Sequence, residues 1–545
     1  MTLKKISRWQ LKNKYFFASV AVFILVILRS FVFRLIGNES VYLLPARRLI
    51  DPTFLANDWT VGAGAGGGSL SIVFSSLMTP LWLLLKDSLA VALTGRILVW
   101  ILLLYALARL GKQLEIQWYA FTFGIGIWLF SGQSLAAGEW MFGGVEQKCL
   151  AYAFLILSLA SLIQSQIIRA GIFCGLSICC HVLVGGYGAI ALTTALLVCR
   201  REYGFQRVVK FALTAAVIGL PLLLIAIQYT ALGSSSDIPV QPGINIESFL
   251  VVFRNPHHLD PNYFLDPKRL IEVILYGICT YFAVTLTVAR AKAKLLLAFL
   301  GVLLAIFIAG LVARQVEAFW FLEYYPFRVA DTLLPLIFWL TMPALIIQQG
   351  QMLLRRPKFK PNHSPLMIPL TLLMAVPIVW QVPGVVLEMG RASKRFIPSI
   401  WQYTTQTEDT FEEISHWIRD YTEKSATVIV HPCKSNFWIT AERAMVVNQK
   451  AAPSNVRILE WHHRMVNLNG NKKFKEVGFE ICEELKANFP YLDLQHLLSI
   501  RQAYDADYYL TTVRRTDLEK TLIYHNRDYY LYDLSGYSLQ LGQLR

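Results

Sequence analysis

Charge is scarce in this chain: only 16% of its 545 residues are Asp, Glu, Lys or Arg, while 55% are hydrophobic. A soluble domain usually carries roughly 25% charged residues and cannot hide that much apolar side chain, so a wholly soluble protein is excluded. Cysteine is also sparse, with eight in all and no C-x-x-C spacing of the kind that holds zinc. Cys149, Cys174, Cys179, Cys180, Cys199 and Cys279 lie in apolar runs, where a thiol behaves as a small hydrophobe. Only Cys433 and Cys482 fall in polar sequence; they can pair if that region lies outside the cytoplasm. Internal repeats and low-complexity segments are lacking, apart from a glycine run at 62–68. The chain therefore does not show the related halves common in transporters.

What is abundant is apolar sequence in blocks of about twenty residues, the length needed to cross roughly 30 Å of hydrocarbon. Such blocks lie near 16–36, 89–108, 118–137, 149–168, 211–231, 271–289, 295–313, 329–349 and 366–386. Residues 70–85 are short for a span and contain Pro80, and 170–199 is long for one span, with Gly185-Gly186-Tyr187-Gly188 in its middle. The net charge of +15 comes mostly from short loops between these blocks. That pattern orients a protein in a membrane and gives no reason to expect a nucleic-acid partner. Basic residues Lys4, Lys5, Arg8, Lys12 and Lys14 precede the first block, which reads as an uncleaved span with the N-terminus inside.

The basic loops are Arg109/Lys112, Arg200/Arg201/Arg207/Lys210, Arg290/Lys292/Lys294 and Arg355/Arg356/Lys358/Lys360. All four face the cytoplasm if 70–85 crosses only partly and 170–199 goes out and back, giving about eleven spans. The expected architecture is a polytopic α-helical membrane domain over 1–390 with a long first external loop at 37–88. Residues 391–545 then form a soluble, extracytoplasmic α/β domain. In that tail a helical pattern (Phe411, Ile414, Trp417, Ile418, Tyr421) precedes the strand-like Thr427-Val-Ile-Val, Asp507-Tyr-Tyr-Leu-Thr-Thr and Asp528-Tyr-Tyr-Leu-Tyr.

Polar residues concentrate in the external segments of this topology. The first loop carries Asp51 and Asp58-Trp59. Carboxylates near a membrane surface can serve as a general base or hold a divalent cation; as ordinary structural groups they cap a helix and make a turn. A second cluster, Phe319 to Asp331, places Tyr325 and Arg328 at the mouth of a span. Arg328 can grip a phosphate through its planar fork, or pair with Asp331 three residues on. A third, Gly138 to Lys148, brings Glu146 and Lys148 to another span; these either contact a polar ligand or form a capped helix start with interfacial charges. His181 lies inside the apolar 170–199 stretch beside its glycines, where broken backbone lines a cavity or protein interior. His257, His258 and Asp260 add metal-capable donors, although adjacent histidines diverge and need share no ion.

Together these residues resemble the GT-C membrane glycosyltransferases, a superfamily with many spans, a catalytic aspartate in a long first external loop and often a soluble C-terminal domain. The resemblance covers 1–390 as architecture, with Asp51 and Asp58, Glu139 and Glu146, and Arg328 as its residues. The sequence departs from marked branches: it has neither the Trp-Trp-Asp motif of oligosaccharyltransferases nor the adjacent Asp-Glu pair of O-mannosyltransferases. The tail, with Trp417-Ile-Arg-Asp-Tyr-Thr, Ala441-Glu-Arg443 and Glu460-Trp461-His-His-Arg464, is similar to that of bacterial multispan proteins with no assigned activity.

The resemblance implies a bacterial cytoplasmic-membrane enzyme that moves a sugar from a polyprenyl-phosphate donor, drawn from the membrane lipid, to an extracytoplasmic acceptor. Asp58, or else Asp51, would be the base. Arg328, Glu146, Lys148, His181 and Tyr325 would hold substrate. The sequence leaves both acceptor and any divalent cation open. A transporter or an envelope assembly protein is the competing expectation.

Overall fold

The computed structural model describes residues 3–62, 71–233, 245–355, 381–396, 398 and 409–537. Most of the glycine run, most of the expected span at 366–386 and the basic residues Arg356, Lys358 and Lys360 lie outside the described residues. The protein is a multi-pass helical membrane protein with a small C-terminal sheet. Among the described residues, five helices are long and apolar enough to cross a membrane: Ser88–Gln113, Phe205–Ile225, Pro267–Thr287, Arg290–Gln315 and Arg328–Gln351. Five further apolar helices are shorter.

Packing divides the chain into two compact units. One draws on Met1–Phe33, Gly95–Leu224 and His257–Ile400, the other on Arg34–Thr94, Ile225–Pro256 and Trp401–Arg545.

In the first unit, the Arg328–Arg355 helix packs against Pro267–Thr287, Trp118–Phe130 and Arg290–Gln315. It contains Pro335 and Pro343, which neighbouring helices make tolerable inside a membrane bundle. Its close approach to Trp118–Phe130 depends on Gly124, where a Cβ would collide with the Trp339 carbonyl oxygen. The long 170–199 stretch is two packed helices, Ile167–Cys180 and Val182–Val198. Their break falls at His181 and not at the glycines. His181 is extended (φ −156°) and caps the second helix, its Nδ1 accepting from Val184 N. Gly185 is helical, and a Cβ there would strike the backbone of Ile178. That glycine serves helix approach, and the polar cap makes the break.

Three basic turns meet at one end of this unit. Lys292 Nζ reaches the Gln113 carbonyl and Glu115 Oε1, each at 2.7 Å, and Lys294 reaches Glu202 Oε1 at 2.6 Å. The Arg290–Gln315 helix carries the chain about 33 Å from Lys292 to Arg314, which binds Asp260 at 2.8 Å.

In the second unit, strands β1 (Thr427–Ile429), β2 (Ala444–Met445), β3 (Tyr508–Thr511), β4 (Leu522–His525) and β5 (Tyr530–Asp533) form one sheet in the order β2-β1-β3-β5-β4. β1 is parallel to β2 and β3, and β5 is antiparallel to β3 and β4. The apolar stretches read as strands are β1, β3 and β5. β2 is two residues long and β4 alternates half-buried with exposed positions, so neither carries a strong apolar signal. The Thr410–Tyr421 helix is capped by Asp409, whose carboxylate accepts from Phe411 N at 3.1 Å. It buries Phe411, Ile414 and Ile418, while Tyr421 stays exposed and stacks on Trp417.

Buried Arg443 ties that helix to β2, donating to the carbonyls of Arg419 (2.7 Å) and Thr422 (2.6 Å). It thereby satisfies carbonyls that a helix end leaves open. A disulfide joins Cys433 and Cys482, Cα atoms 6.1 Å apart.

The first loop belongs to this second unit. Its helices Leu44–Ile50 and Ile72–Leu85 pack together. The latter has 14 residues and spans about 21 Å, short of a hydrocarbon core.

Candidate functional site

Asp58 is 3% exposed. Its Oδ1 accepts from the N–H groups of Thr60 (2.8 Å) and Val61 (2.9 Å), which form an Asx turn. Its Oδ2 accepts from Trp438 Nε1 (2.6 Å) and Met445 N (3.1 Å). Burial pushes its pKa above the usual carboxylate range, and these hydrogen bonds pull it back. Four donors on two oxygens saturate the group. The next residue, Trp59, lies under Arg457 and Arg464, with guanidinium carbons 4.8 and 4.6 Å from its ring. Arg464 also binds Glu460 at 2.8 Å and the Val446 carbonyl at 3.0 Å. The tail motifs around Arg443, Trp461 and Arg464 are thus occupied in holding this unit together. Asp51, by contrast, is half-buried. Thr53 donates to Oδ1 through its hydroxyl (2.5 Å) and N–H (3.0 Å), and these bonds hold the carboxyl below its ordinary range.

Arg328, Glu146, Lys148, His181 and Tyr325 come together in the first unit, around Glu139, which the sequence resemblance named beside Glu146 without giving it a role. Glu139 is 1% exposed. Its Oε1 lies 3.4 Å from Lys148 Nζ and its Oε2 3.1 Å from Arg328 Nε. Lys148 also faces Glu146 Oε2 at 3.6 Å and sits 4.1 Å above the Trp140 ring. Arg328 lies over the Tyr325 ring at 4.1 Å and faces His181 Nε2 at 3.2 Å. Tyr325 holds a left-handed φ of 56°, which turns the chain just before the Arg328 helix begins. Such a knot of buried charge is costly unless each member keeps its partners.

Asp331 does not complete the helix-face pair with Arg328 that their spacing allows. Its carboxylate turns to the preceding loop and accepts from Leu135 N (3.1 Å), Ala136 N (2.7 Å) and Glu139 N (3.2 Å). It thereby fixes the backbone that presents Glu139. Only the two-way meeting of this loop with the helix start reveals the role, because the partners are backbone groups almost two hundred residues away. Gln133 holds the same loop from within, bonding the backbone of Met141 and Phe142.

His258 Nδ1 lies 2.5 Å from the Ala137 carbonyl, and Asp260 binds Arg314. Among the described residues, no group of three or more His, Cys, Asp or Glu side chains is placed to hold a metal ion.

With that geometry in hand, solved structures supply the fold. The oligosaccharyltransferase AglB from Archaeoglobus fulgidus, in complex with an inhibitory peptide and a dolichol-phosphate, matches over 93% of this chain and 70% of its own (TM-score 0.53, 11% identity). The same organism's oligosaccharyltransferase tethered to an acceptor peptide containing an NVT sequon matches over 92% and 69% (TM-score 0.51, 11% identity). The chain shares its fold with these oligosaccharyltransferases. At this identity the likeness concerns fold alone. Residues 409–468 match a family model described as a domain of unknown function (DUF6798). Comparison with curated proteins gives no match.

Proposed function

We propose that the chain transfers a glycosyl group from a polyprenyl-phosphate carrier to an acceptor outside the cytoplasmic membrane of a bacterium, with Arg328 holding the carrier phosphate. One observation carries the reading. Buried Glu139 holds the Arg328 guanidinium at 3.1 Å, at the mouth of an apolar helix. His181 Nε2 faces the same guanidinium at 3.2 Å. A planar cation fixed in this way can take a phosphate oxygen in its fork. Arg328 then stabilises charge on the departing phosphate. Glu139, with Lys148 and Glu146 behind it, keeps the guanidinium oriented, and Tyr325 covers its face.

The acceptor-activating base in this reading is Asp51, a half-buried carboxylate whose hydrogen bonds among the described residues fall on Oδ1. Asp58 is the anchor that docks the first loop to the sheet. The charge pattern supports a cytoplasmic N-terminus, with the three joined basic turns on that side. The Cys433–Cys482 bond supports an extracytoplasmic tail, since such bonds persist in oxidising compartments.

The test is titration of the purified protein with farnesyl phosphate, a short polyprenyl phosphate, followed by 31P NMR. Wild type binds, and Arg328→Gln weakens binding at least about tenfold, as expected for a lost charge-assisted hydrogen bond. Equal affinity in both proteins removes the phosphate assignment.

A further inference from the structure

A cavity of about 380 Å³ opens beside the loop that Asp331 organises. Its walls are the 131–138 loop, Arg269, Glu272 and Tyr276 of the Pro267–Thr287 helix, Pro335 of the Arg328–Arg355 helix, and Gln381. Most of what faces it is polar, although these helices are apolar elsewhere. The size is at the small end of the range for ligand pockets, about 300–1,000 Å³, and suits a single ring rather than a chain.

The bonding state of the lining separates structural groups from available ones. Arg269 is engaged with the carbonyls of Phe264 (3.0 Å) and Ala136 (3.3 Å) and with Asp266. Gln381 donates from Nε2 to the Tyr276 hydroxyl at 2.6 Å, which leaves its buried Oε1 with no partner among the described residues. Glu272, half-buried in the second turn of its helix, makes no hydrogen bond or ion pair among the described residues. A carboxylate at the start of an apolar helix costs free energy unless something binds it. The available groups are thus acceptors, and the missing component is a small molecule rich in donors.

We infer that this cavity binds the sugar ring of the glycosyl carrier, with Glu272 and Gln381 Oε1 accepting hydrogen bonds from its hydroxyls. The inference rests on the phosphate reading for the identity of the ring's source. Its link to that site is covalent continuity of the protein. Ala136 and Gly138 line the cavity, and Glu139, the next residue, holds Arg328. Pro335 lies one helical turn beyond Asp331. A ring in the cavity and a phosphate at Arg328 therefore share the two elements that Asp331 joins.

The experiment uses the full chain in lauryldimethylamine oxide, because glycosidic detergents would compete. Saturation-transfer NMR is recorded with the methyl glycosides of glucose, mannose, galactose and N-acetylglucosamine as separate probes. At least one is expected to receive saturation from wild type. Glu272→Gln and Gln381→Ala should each weaken it about tenfold, the loss of one good hydrogen bond. Both variants should retain farnesyl phosphate binding. No transfer to any glycoside, or equal transfer in wild type and both variants, overturns the inference. Glycoside binding without farnesyl phosphate binding refutes the phosphate reading and leaves the cavity assignment standing; the reverse pattern refutes the cavity assignment alone.

Discussion

Asn is nearly isosteric with Asp, so Asp58→Asn tests the carboxylate of Asp58 without opening a cavity. In the native unit Oδ1 serves Thr60 and Val61, while Oδ2 serves Trp438 and Met445. An asparagine offers one acceptor oxygen. Whichever way its amide is turned, an NH2 group faces two N–H donors at 2.6–3.1 Å. Each buried donor left without an acceptor costs about 1–3 kcal/mol. Removing a charge that burial disfavours offsets part of this, and the net loss should be about 2–4 kcal/mol. For a unit of this size that corresponds to a fall of about 5–15 °C in the apparent midpoint.

The assay is tryptophan fluorescence during thermal unfolding in detergent, with one scan rate for all variants because unfolding of large proteins is often irreversible. Trp438 is itself a partner of Asp58 and reports directly. An unchanged midpoint with abolished transfer would refute the anchor and return Asp58 to the role of base.

Four further outcomes follow from the same structure. Asp51→Asn should leave the midpoint within about 1 °C, as surface substitutions usually do, and abolish sugar transfer measured with a radiolabelled carrier; retained transfer excludes Asp51 as base. Asp331→Ala removes the acceptor of three backbone N–H groups and should cost about 3–5 kcal/mol. A farnesyl phosphate titration should weaken with it, because Glu139 is no longer positioned. Replacing both Cys433 and Cys482 by Ser frees a 49-residue loop and should cost about 4 kcal/mol by loop entropy, read as a lower midpoint that reductant no longer changes. His431 is held by burial at a pKa of about 4, below its unfolded value of about 6.5. The unfolded chain therefore binds the extra proton first, and stability should fall by roughly 3 kcal/mol as pH drops from 6.5 to 4. His431→Phe should flatten that part of the pH profile.

The class of the protein was legible because it rests on composition and on local order. A shortage of charge, apolar blocks of spanning length and basic turns are properties of neighbouring residues, and so are the apolar faces of Thr410–Tyr421, β1, β3 and β5. Arg328, Glu146, Lys148, His181 and Tyr325 could be singled out for a related reason, since polar side chains at the mouth of an apolar helix are expensive unless they are used. What the linear chain could not reveal is who satisfies whom. The donors to Asp58 Oδ2 are Trp438 and Met445, 380 and 387 residues away. The glycines of 170–199 look like the break, yet His181 makes it by capping. Glu139 looks like one more interfacial carboxylate, and becomes the hub only when Asp331 draws its backbone to the start of another helix. Burial and hydrogen-bond saturation depend on packing between distant segments, and they set apart two aspartates of one loop: Asp58 is buried with four donors, and Asp51 is bonded only through Thr53.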